Sequence, residues 1–226
     1  MTLSEIAESI SDASDERTKP LYYYDRYEPY FAKLSDQPVK VLELGVHMGD
    51  SLKVLSSYFR HGTIVGADIK DPGIDFSKYP NAVFVTGDQR EGDQLRTISS
   101  TYAPEGWDII IDDASHYGTW SLLSYEALFP YLKPGGLFVV EDWATAYWDD
   151  WPDGSRYQRI TPIVPKDHIP KRIPSHDFGM VGFVKYLVDE LVARPATTRS
   201  SPIIHERRFE WMQIATGFAI LKKASG

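Results

Sequence analysis

Val39-Lys-Val-Leu-Glu43-Leu-Gly45-Val-His47-Met-Gly49-Asp50 is the stretch whose reading decides the fold. Val39 to Leu44 reads as a buried strand. Gly45 and Gly49 follow at a spacing that lets the backbone bend sharply and approach a ligand closely. Asp50 to Phe59 then places Leu52, Leu55 and Phe59 on one helical face. Strand, glycine turn and helix succeed one another without a spacer, the opening of a βαβ unit.

The same rhythm runs outward. Thr63 to Ala67, Ala82 to Val85, Asp108 to Ile111 and Leu137 to Val140 read as further buried strands. Gln94 to Tyr102 and Thr119 to Leu132 read as helices between them, the second ended by Lys133-Pro-Gly-Gly136. Apolar strands alternating with helices predict an α/β fold: a central, mostly parallel sheet with helices on both faces. Asp177 to Ala193 reads as a late helix, and Ile203-Ile204 and Ala215 to Leu221 as closing antiparallel strands. Ligands of such sheets bind beyond the carboxyl ends of the strands, so function is sought in the residues after each one.

Composition bounds what this fold can do. The 226 residues suit one α/β domain, with residues 1–34 a helical cap and 142–176 an acceptor loop or lid. Within the cap, Leu3, Ile6, Ala7 and Ile10 recur at helical spacing. A net charge of -8 opposes nucleic-acid binding, and the best basic pair, Lys171-Arg172, is short. There are no cysteines, which removes disulfides, thiolate nucleophiles and thiolate zinc sites and fits a cytoplasmic protein. No apolar run approaches the ~20 residues of a membrane span, and the polar, acidic Thr2 to Asp15 does not read as a signal peptide. Aromatic residues reach 13%, enough for core packing and for a stacking surface against a flat ligand face.

The G-x-x-x-G spacing is not the G-x-G-x-x-G of dinucleotide folds, which disfavours a nicotinamide-dependent oxidoreductase. Glu43, two residues before Gly45, points the same way. A carboxylate there sits poorly beside a pyrophosphate and suits a ligand with a positive end. S-adenosylmethionine carries both an ammonium and a sulfonium. Gly45, Gly49 and Ser51 join Glu43 in the expected cofactor site. Asp68, ending the second strand, can accept the ribose hydroxyls. Asp88 and Gln89, after the third, can reach the adenine. Any one of these acids could be a turn residue or a helix cap; three strand ends in order argue for a site.

The fourth strand ends in Ile111-Asp112-Asp113-Ala-Ser115-His116 and the fifth in Val140-Glu141-Asp142. Adjacent strand ends bring these carboxylates together, and like charges so crowded need a cation. Oxygen ligands without cysteine favour Mg²⁺, or else Mn²⁺ or Ca²⁺. Successive strand side chains face opposite ways, so Asp112 and Asp113 cannot share one ion. Asp113 is the expected ligand, and Asp112 is assigned to the cofactor side. Glu141 and Asp142 can both ligate only across an irregular turn. His116, three residues beyond Asp113, falls above the metal; an imidazole titrating near its ordinary ~6.5 suits a general base for a metal-acidified hydroxyl.

These residues resemble class I methyltransferases over roughly residues 39–141, with His47 standing where a central glycine is frequent. More narrowly, Asp112-Asp113-Ala-Ser-His116, Pro134 to Asp142 and Thr145-Ala-Tyr147-Trp148 resemble the metal-dependent sugar O-methyltransferases of the macrocin, mycinamicin and novobiocin pathways. That resemblance, over about residues 17–148, implies a Rossmann-like seven-stranded sheet with an antiparallel C-terminal edge. It implies Mg²⁺ on Asp113, Glu141 and Asp142, and His116 as the base. Tyr22-Tyr-Tyr24-Asp-Arg-Tyr27 resembles the family's cofactor-covering segment, with Tyr22 in place of a usual histidine, and adds Tyr24 and Tyr27 to the cofactor candidates.

The expected product is a methylated sugar hydroxyl. Trp143, Tyr147, Trp148, Trp151 and His176 are the candidates to meet the acceptor, with His168 a weaker one. The acceptor is expected to be a small molecule or an oligosaccharide. The chain length also resembles short actinobacterial enzymes that methylate mannose in polymethylated polysaccharides, which places polysaccharide biosynthesis among the expectations. Rival readings are a catechol-type phenolic O-methyltransferase, which usually carries Asp-Asn after the fifth strand, and a non-catalytic cofactor-binding protein. Exposed aromatics and the N-terminal helix suggest a homodimer.

Overall fold

The computed structural model describes residues 1–10, 19–73, 75–155, 175–191 and 208–225. Two helices come first, α1 (Leu3–Ile10) and α2 (Leu21–Phe31). The alternating core follows: β1 (Lys40–Leu44), α3 (Asp50–Tyr58), β2 (Thr63–Asp68), β3 (Ala82–Thr86), α4 (Gly92–Tyr102), β4 (Trp107–Asp112), α5 (Gly118–Leu128) and β5 (Leu132–Glu141). After α6 (Gly179–Leu191) the chain closes with β6 (Phe209–Ala215) and β7 (Phe218–Lys223). The seven strands lie in the order β3-β2-β1-β4-β5-β7-β6, with β1 to β5 parallel and β7 antiparallel to β5.

Each β-strand turns alternate residues to opposite sides, and here the two sides build two cores. Val41, Ile64, Ile109, Ile111, Val139 and Ile220 face α1, α2 and α3, where Leu3, Tyr27, Phe31 and Leu55 close over them. Leu42, Leu44, Val65, Ile110, Phe138 and Val140 face α4, α5 and α6, where Leu95, Tyr125 and Leu187 pack. Trp107 is fully buried in the second core and donates its indole N–H to Ser99 at 3.0 Å. Burial of an apolar side chain of this size contributes roughly 1.5–3 kcal/mol. The strand order reverses between β1 and β4, and their carboxyl ends open the crevice that such sheets use for ligands.

Strands β1 to β4 lie within a residue or so of their predicted positions. Two expectations needed correction. Lys133-Pro-Gly-Gly136 reads as a loop after a helix that runs to Leu132, yet α5 ends at Leu128, and β5 begins at Leu132 and includes the turn residues. Trp107 pairs with Leu132 and the register then jumps, so that Ile109 meets Leu137. The turn residues form an irregularity in the strand, with Gly135 at φ +77 and Lys133 Nζ 2.8 Å from Asp108. A strand over Ala215 to Leu221 also fails: Thr216-Gly217 turns the chain there, with Gly217 at φ +71. The Ile203-Ile204 strand, His168, Lys171-Arg172 and most of the expected lid lie outside the described residues. Among the described residues, no helix is long and apolar enough to cross a membrane.

Candidate active site

The glycine turn does what its spacing predicts. Gly45 (φ +86) and Gly49 (φ +79) take left-handed backbone, and Gly49 caps α3. His47, at the frequent position of a third glycine, is left-handed as well (φ +47). The turn is tied to the next strand by Asp68, whose Oδ2 accepts the amides of Val46 at 2.8 Å and His47 at 3.2 Å. The Asp68 carboxylate thus braces the turn while lining the crevice. Glu43 is fully buried and accepts from Ser51 Oγ at 2.7 Å, which makes Ser51 a support for Glu43.

A cavity of about 690 Å³ opens above this turn. It is lined by Gly45, His47, Ser51 and Asp68 from the β1 and β2 side, and by Asp113, His116, Glu141 and Asp142 from β4 and β5. A smaller cavity of about 290 Å³ adjoins it, lined by Asp68, Asp88, Gln89, Arg90, Ser115 and Trp120. Trp120 and Arg90 were not expected there. The Arg90 guanidinium lies 5.1 Å from the Trp120 ring centre and pairs with Asp88 at 2.6 Å. The hydrogen bond from Arg90 holds the Asp88 carboxyl below the usual carboxylate range. An indole inside a helical run reads as core, and its place beside Gln89 follows only from the tertiary fold.

Asp112 lines neither cavity, against its assignment to the cofactor site. Strand parity sends it to the α5 side, where it accepts from Ser124 Oγ at 2.8 Å and Gln89 Nε2 at 2.7 Å. Burial pushes its carboxyl up, and the serine hydrogen bonds oppose that shift. Its contact with the cofactor cavity runs through Gln89, whose other end accepts from Ser115 Oγ at 2.6 Å. Tyr24 and Tyr27 are buried under the crevice, and the tyrosine lining it is Tyr23. The Tyr27 hydroxyl donates to Glu141 and the Tyr23 hydroxyl to Asp142.

The acids at the ends of β4 and β5 converge in two groups that share Asp113. Among the described residues, ligand atoms of Glu43, Asp113 and Glu141 lie within 4.8 Å of one another, as do those of Asp113, His116 and Asp142. The inner group, with Glu43 and Glu141 buried and Asp113 half-buried, surrounds the ammonium of Lys19, 2.5 Å from Glu141, 2.9 Å from Asp113 and 3.5 Å from Glu43. Burial opposes that charge, but Asp113 and Glu141 outweigh it and raise the lysine above its ordinary range. Burial and the charge of Asp113 push the Glu141 carboxyl up. In the outer group, His116 Nε2 lies 3.6 Å from Asp142 and 4.0 Å from Asp113. One ammonium among four carboxylates leaves an excess of negative charge on hard oxygen donors, a set that fits Mg²⁺.

His116 (φ +53) and Asp142 (φ +51) are both left-handed without being glycine. The His116 carbonyl is held by Trp151 Nε1 at 3.1 Å and Thr145 Oγ1 at 3.3 Å. Trp151 therefore supports the backbone of His116. Of the other acceptor candidates, Trp143 packs against the second core and donates to Ala215 O at 2.8 Å. Tyr147 and Trp148 are exposed, and His176 lies 2.6 Å from Ala146 O with its ring 5.0 Å from that of Tyr147. None of these four lines the larger cavity; they form a separate aromatic shoulder after β5.

The strand order, the acidic strand ends and the β1 turn define a class I S-adenosylmethionine-dependent methyltransferase fold. No protein-family model matches the chain. Demethylmacrocin O-methyltransferase of Streptomyces fradiae is 31% identical over 211 residues, 89% of this chain and 48% of that protein. Mycinamicin VI 2''-O-methyltransferase of Micromonospora griseorubida is 38% identical over 135 residues, 56% of this chain and 33% of that protein. The structure of the MycE methyltransferase from the mycinamycin biosynthetic pathway, in complex with Mg and SAH, matches with a TM-score of 0.76. It is 26% identical, over 99% of this chain and 55% of that one. The chain is homologous to these sugar O-methyltransferases and shares the class I methyltransferase fold. It spans a third to about half of the length of the relatives it matches.

Proposed function

We propose that this chain is an S-adenosylmethionine- and Mg²⁺-dependent O-methyltransferase acting on a sugar hydroxyl. The observation that carries the reading is the convergence of Asp113, Glu141, Asp142 and His116 on the cavity that also holds the β1 turn. When bound, S-adenosylmethionine supplies an electrophilic methyl group and Mg²⁺ lowers the pKa of a hydroxyl it holds. Asp113, Glu141 and Asp142 hold the metal. Glu43, supported by Ser51, faces the positive end of the cofactor, Asp68 its ribose, and Asp88, Gln89 and Trp120 its adenine. Tyr24 and Tyr27 back the site, Tyr27 through Glu141.

His116 accepts the hydroxyl proton at Nε2. Its ring lies 3.6 Å from Asp142 and 4.0 Å from Asp113, within reach of a hydroxyl held at those acids. Tyr147, Trp148 and His176 present the aromatic shoulder to the acceptor, for which apolar sugar faces are suitable partners. The structure of MycE in complex with Mg, SAH and Mycinamycin VI, at 28% identity, supports the reading. For this chain the acceptor class is a glycoside or oligosaccharide, with methylated mannosides the first to try.

The test is methyl transfer from labelled S-adenosylmethionine to a panel of mannosides, rhamnosides and catechols, with Mg²⁺ or with chelator. Transfer to sugars that stops on chelation is the expected result. Undiminished transfer in chelator, or transfer to catechols alone, sinks the reading.

A further inference from the structure

Lys19 has no part in the reading above, yet among the described residues it makes the closest ion pairs in the acid cluster. Its side chain is 9% exposed, and its ammonium lies 2.5 Å from Glu141 Oε1 and 2.9 Å from Asp113 Oδ2. These are two of the three carboxylates assigned to the metal. Glu43 Oε1 follows at 3.5 Å. The rings of Tyr27 and Tyr23 lie beyond, their centres 5.9 and 6.0 Å from Nζ. Asp113 divides its two oxygens: Oδ2 faces Lys19, and Oδ1 faces His116. The strand ends therefore offer two neighbouring cation positions, and a side chain of the protein fills the inner one.

We propose that Lys19 is a tethered competitor of the metal: its ammonium and a divalent ion contend for Asp113 and Glu141. The inference rests on the metal reading above. Glu43, Asp113 and Glu141, crowded together without a counter-charge, would repel one another, so the metal-free site gains by carrying its own cation. A dication that takes Asp113 and Glu141 comes within a few ångströms of Nζ, where repulsion in a site shielded from water is strong. Metal binding thus drives Nζ off these two oxygens, and the work of displacing it subtracts from the metal's affinity. At low metal Lys19 balances part of the site's negative charge, and the site loads only above a threshold that Lys19 sets.

The experiment compares the wild type with Lys19→Met, which keeps the length of the side chain and removes its charge. Mg²⁺ is titrated into each by calorimetry, and each is melted with and without Mg²⁺. Lys19→Met is expected to bind Mg²⁺ at least about tenfold tighter and to gain more in Tm from it. Equal or weaker binding overturns the proposal. A second measurement uses the wild type alone and does not depend on the variant folding. Amine acetylation, read by mass spectrometry, should label Lys19 slowly without metal and faster in saturating Mg²⁺; an unchanged rate overturns the proposal. Absence of any Mg²⁺ heat or Tm shift in both proteins removes the metal reading itself, which is a different failure.

Discussion

Gly45→Ala is expected to break the joint between the cofactor turn and the metal strand. A Cβ on Gly45 would stand 2.1 Å from the carbonyl oxygen of Asp113, 2.6 Å from its carbonyl carbon and 2.7 Å from Ala114 Cα. All three are backbone atoms, so no rotamer relieves the contact. Cβ contacts under 3.0 Å are essentially never seen, so the Asp113 carbonyl must retreat by about 0.9 Å or the turn must open. Either movement strains the bond from Asp113 N to Leu44 O, now 2.9 Å. The left-handed φ of +86 adds about 1–2 kcal/mol for a residue with a side chain. Overpacking of this kind costs roughly a further 1–3 kcal/mol. The sum is about 2–5 kcal/mol of stability, large against a domain's usual margin.

The functional effect should exceed the loss of stability. A displacement near 1 Å at a positioned group costs on the order of 10²-fold in rate, and here the displaced residue carries a proposed metal ligand. Urea unfolding at equilibrium gives the stability change; calorimetry with Mg²⁺ and with S-adenosylhomocysteine gives the two affinities. Gly73→Ala is the control, because it shares the left-handed backbone (φ +69) but has nothing within 4 Å of its Cβ. It should lose about 1–2 kcal/mol and keep both affinities. If Gly45→Ala matches Gly73→Ala in stability and in Mg²⁺ affinity, the close approach of β1 to β4 does not constrain the site and the reasoning fails.

Three further outcomes are expected. His116→Ala should lower kcat by about 10²–10⁴-fold, as loss of a general base does, and leave S-adenosylhomocysteine binding intact; a loss confined to cofactor affinity would remove His116 from the chemistry. Arg208→Met should destabilise the fold by about 2–3 kcal/mol by stranding Glu190, which is 4% exposed, a cost discounted for the partial exposure of Arg208. The hydrogen bond from Arg208 also holds Glu126 below its ordinary carboxylate value. Glu126 therefore stabilises the fold above that ordinary value, and the contribution is lost as pH falls through the lowered one. Unfolding curves from pH 6 to pH 3 should show this acid-side loss in the wild type and a shallower one in Arg208→Met; parallel curves would count against it.

The parts of the fold that are legible in the sequence are those where a single pattern decides. β1 to β4 are short apolar runs buried on both sides, and they sit close to where they were expected. β5 starts early because Pro134-Gly-Gly136 is a turn signal wherever it occurs, and only pairing with β4 shows it to be an irregularity inside a strand. The β6–β7 turn was missed because Thr216-Gly217 interrupts an otherwise continuous apolar run. At the site, the acids are legible because several strand ends carry them in order. Lys19 was not, since a lone lysine before a proline reads as a surface residue. Its only sequence signal is indirect: so many converging carboxylates require a cation, and the chain can supply one.

Strand parity explains how five acids at three neighbouring strand ends are shared out. Glu43 pairs with Ile111, and Asp112 with both Leu44 and Val140. Two residues past Ile111 comes Asp113, and two past Val139 comes Glu141, so Glu43, Asp113 and Glu141 share one side of the sheet. Asp112 falls on the other and joins Ser124. By the same rule Asp142 should follow Asp112 and leave the proposed metal site with too few ligands. Its left-handed backbone turns it back, and the turn is fixed where its N–H donates to Gly217 O at 2.6 Å and Tyr23 bonds its carboxylate. His116 needs the same device to stand over Asp113. Among the described residues the non-glycine left-handed positions are His47, His116 and Asp142, and all three line the larger cavity. Each costs about 1–3 kcal/mol and persists only because its surroundings over-determine it. The strain therefore falls where a regular sheet would have dispersed the site.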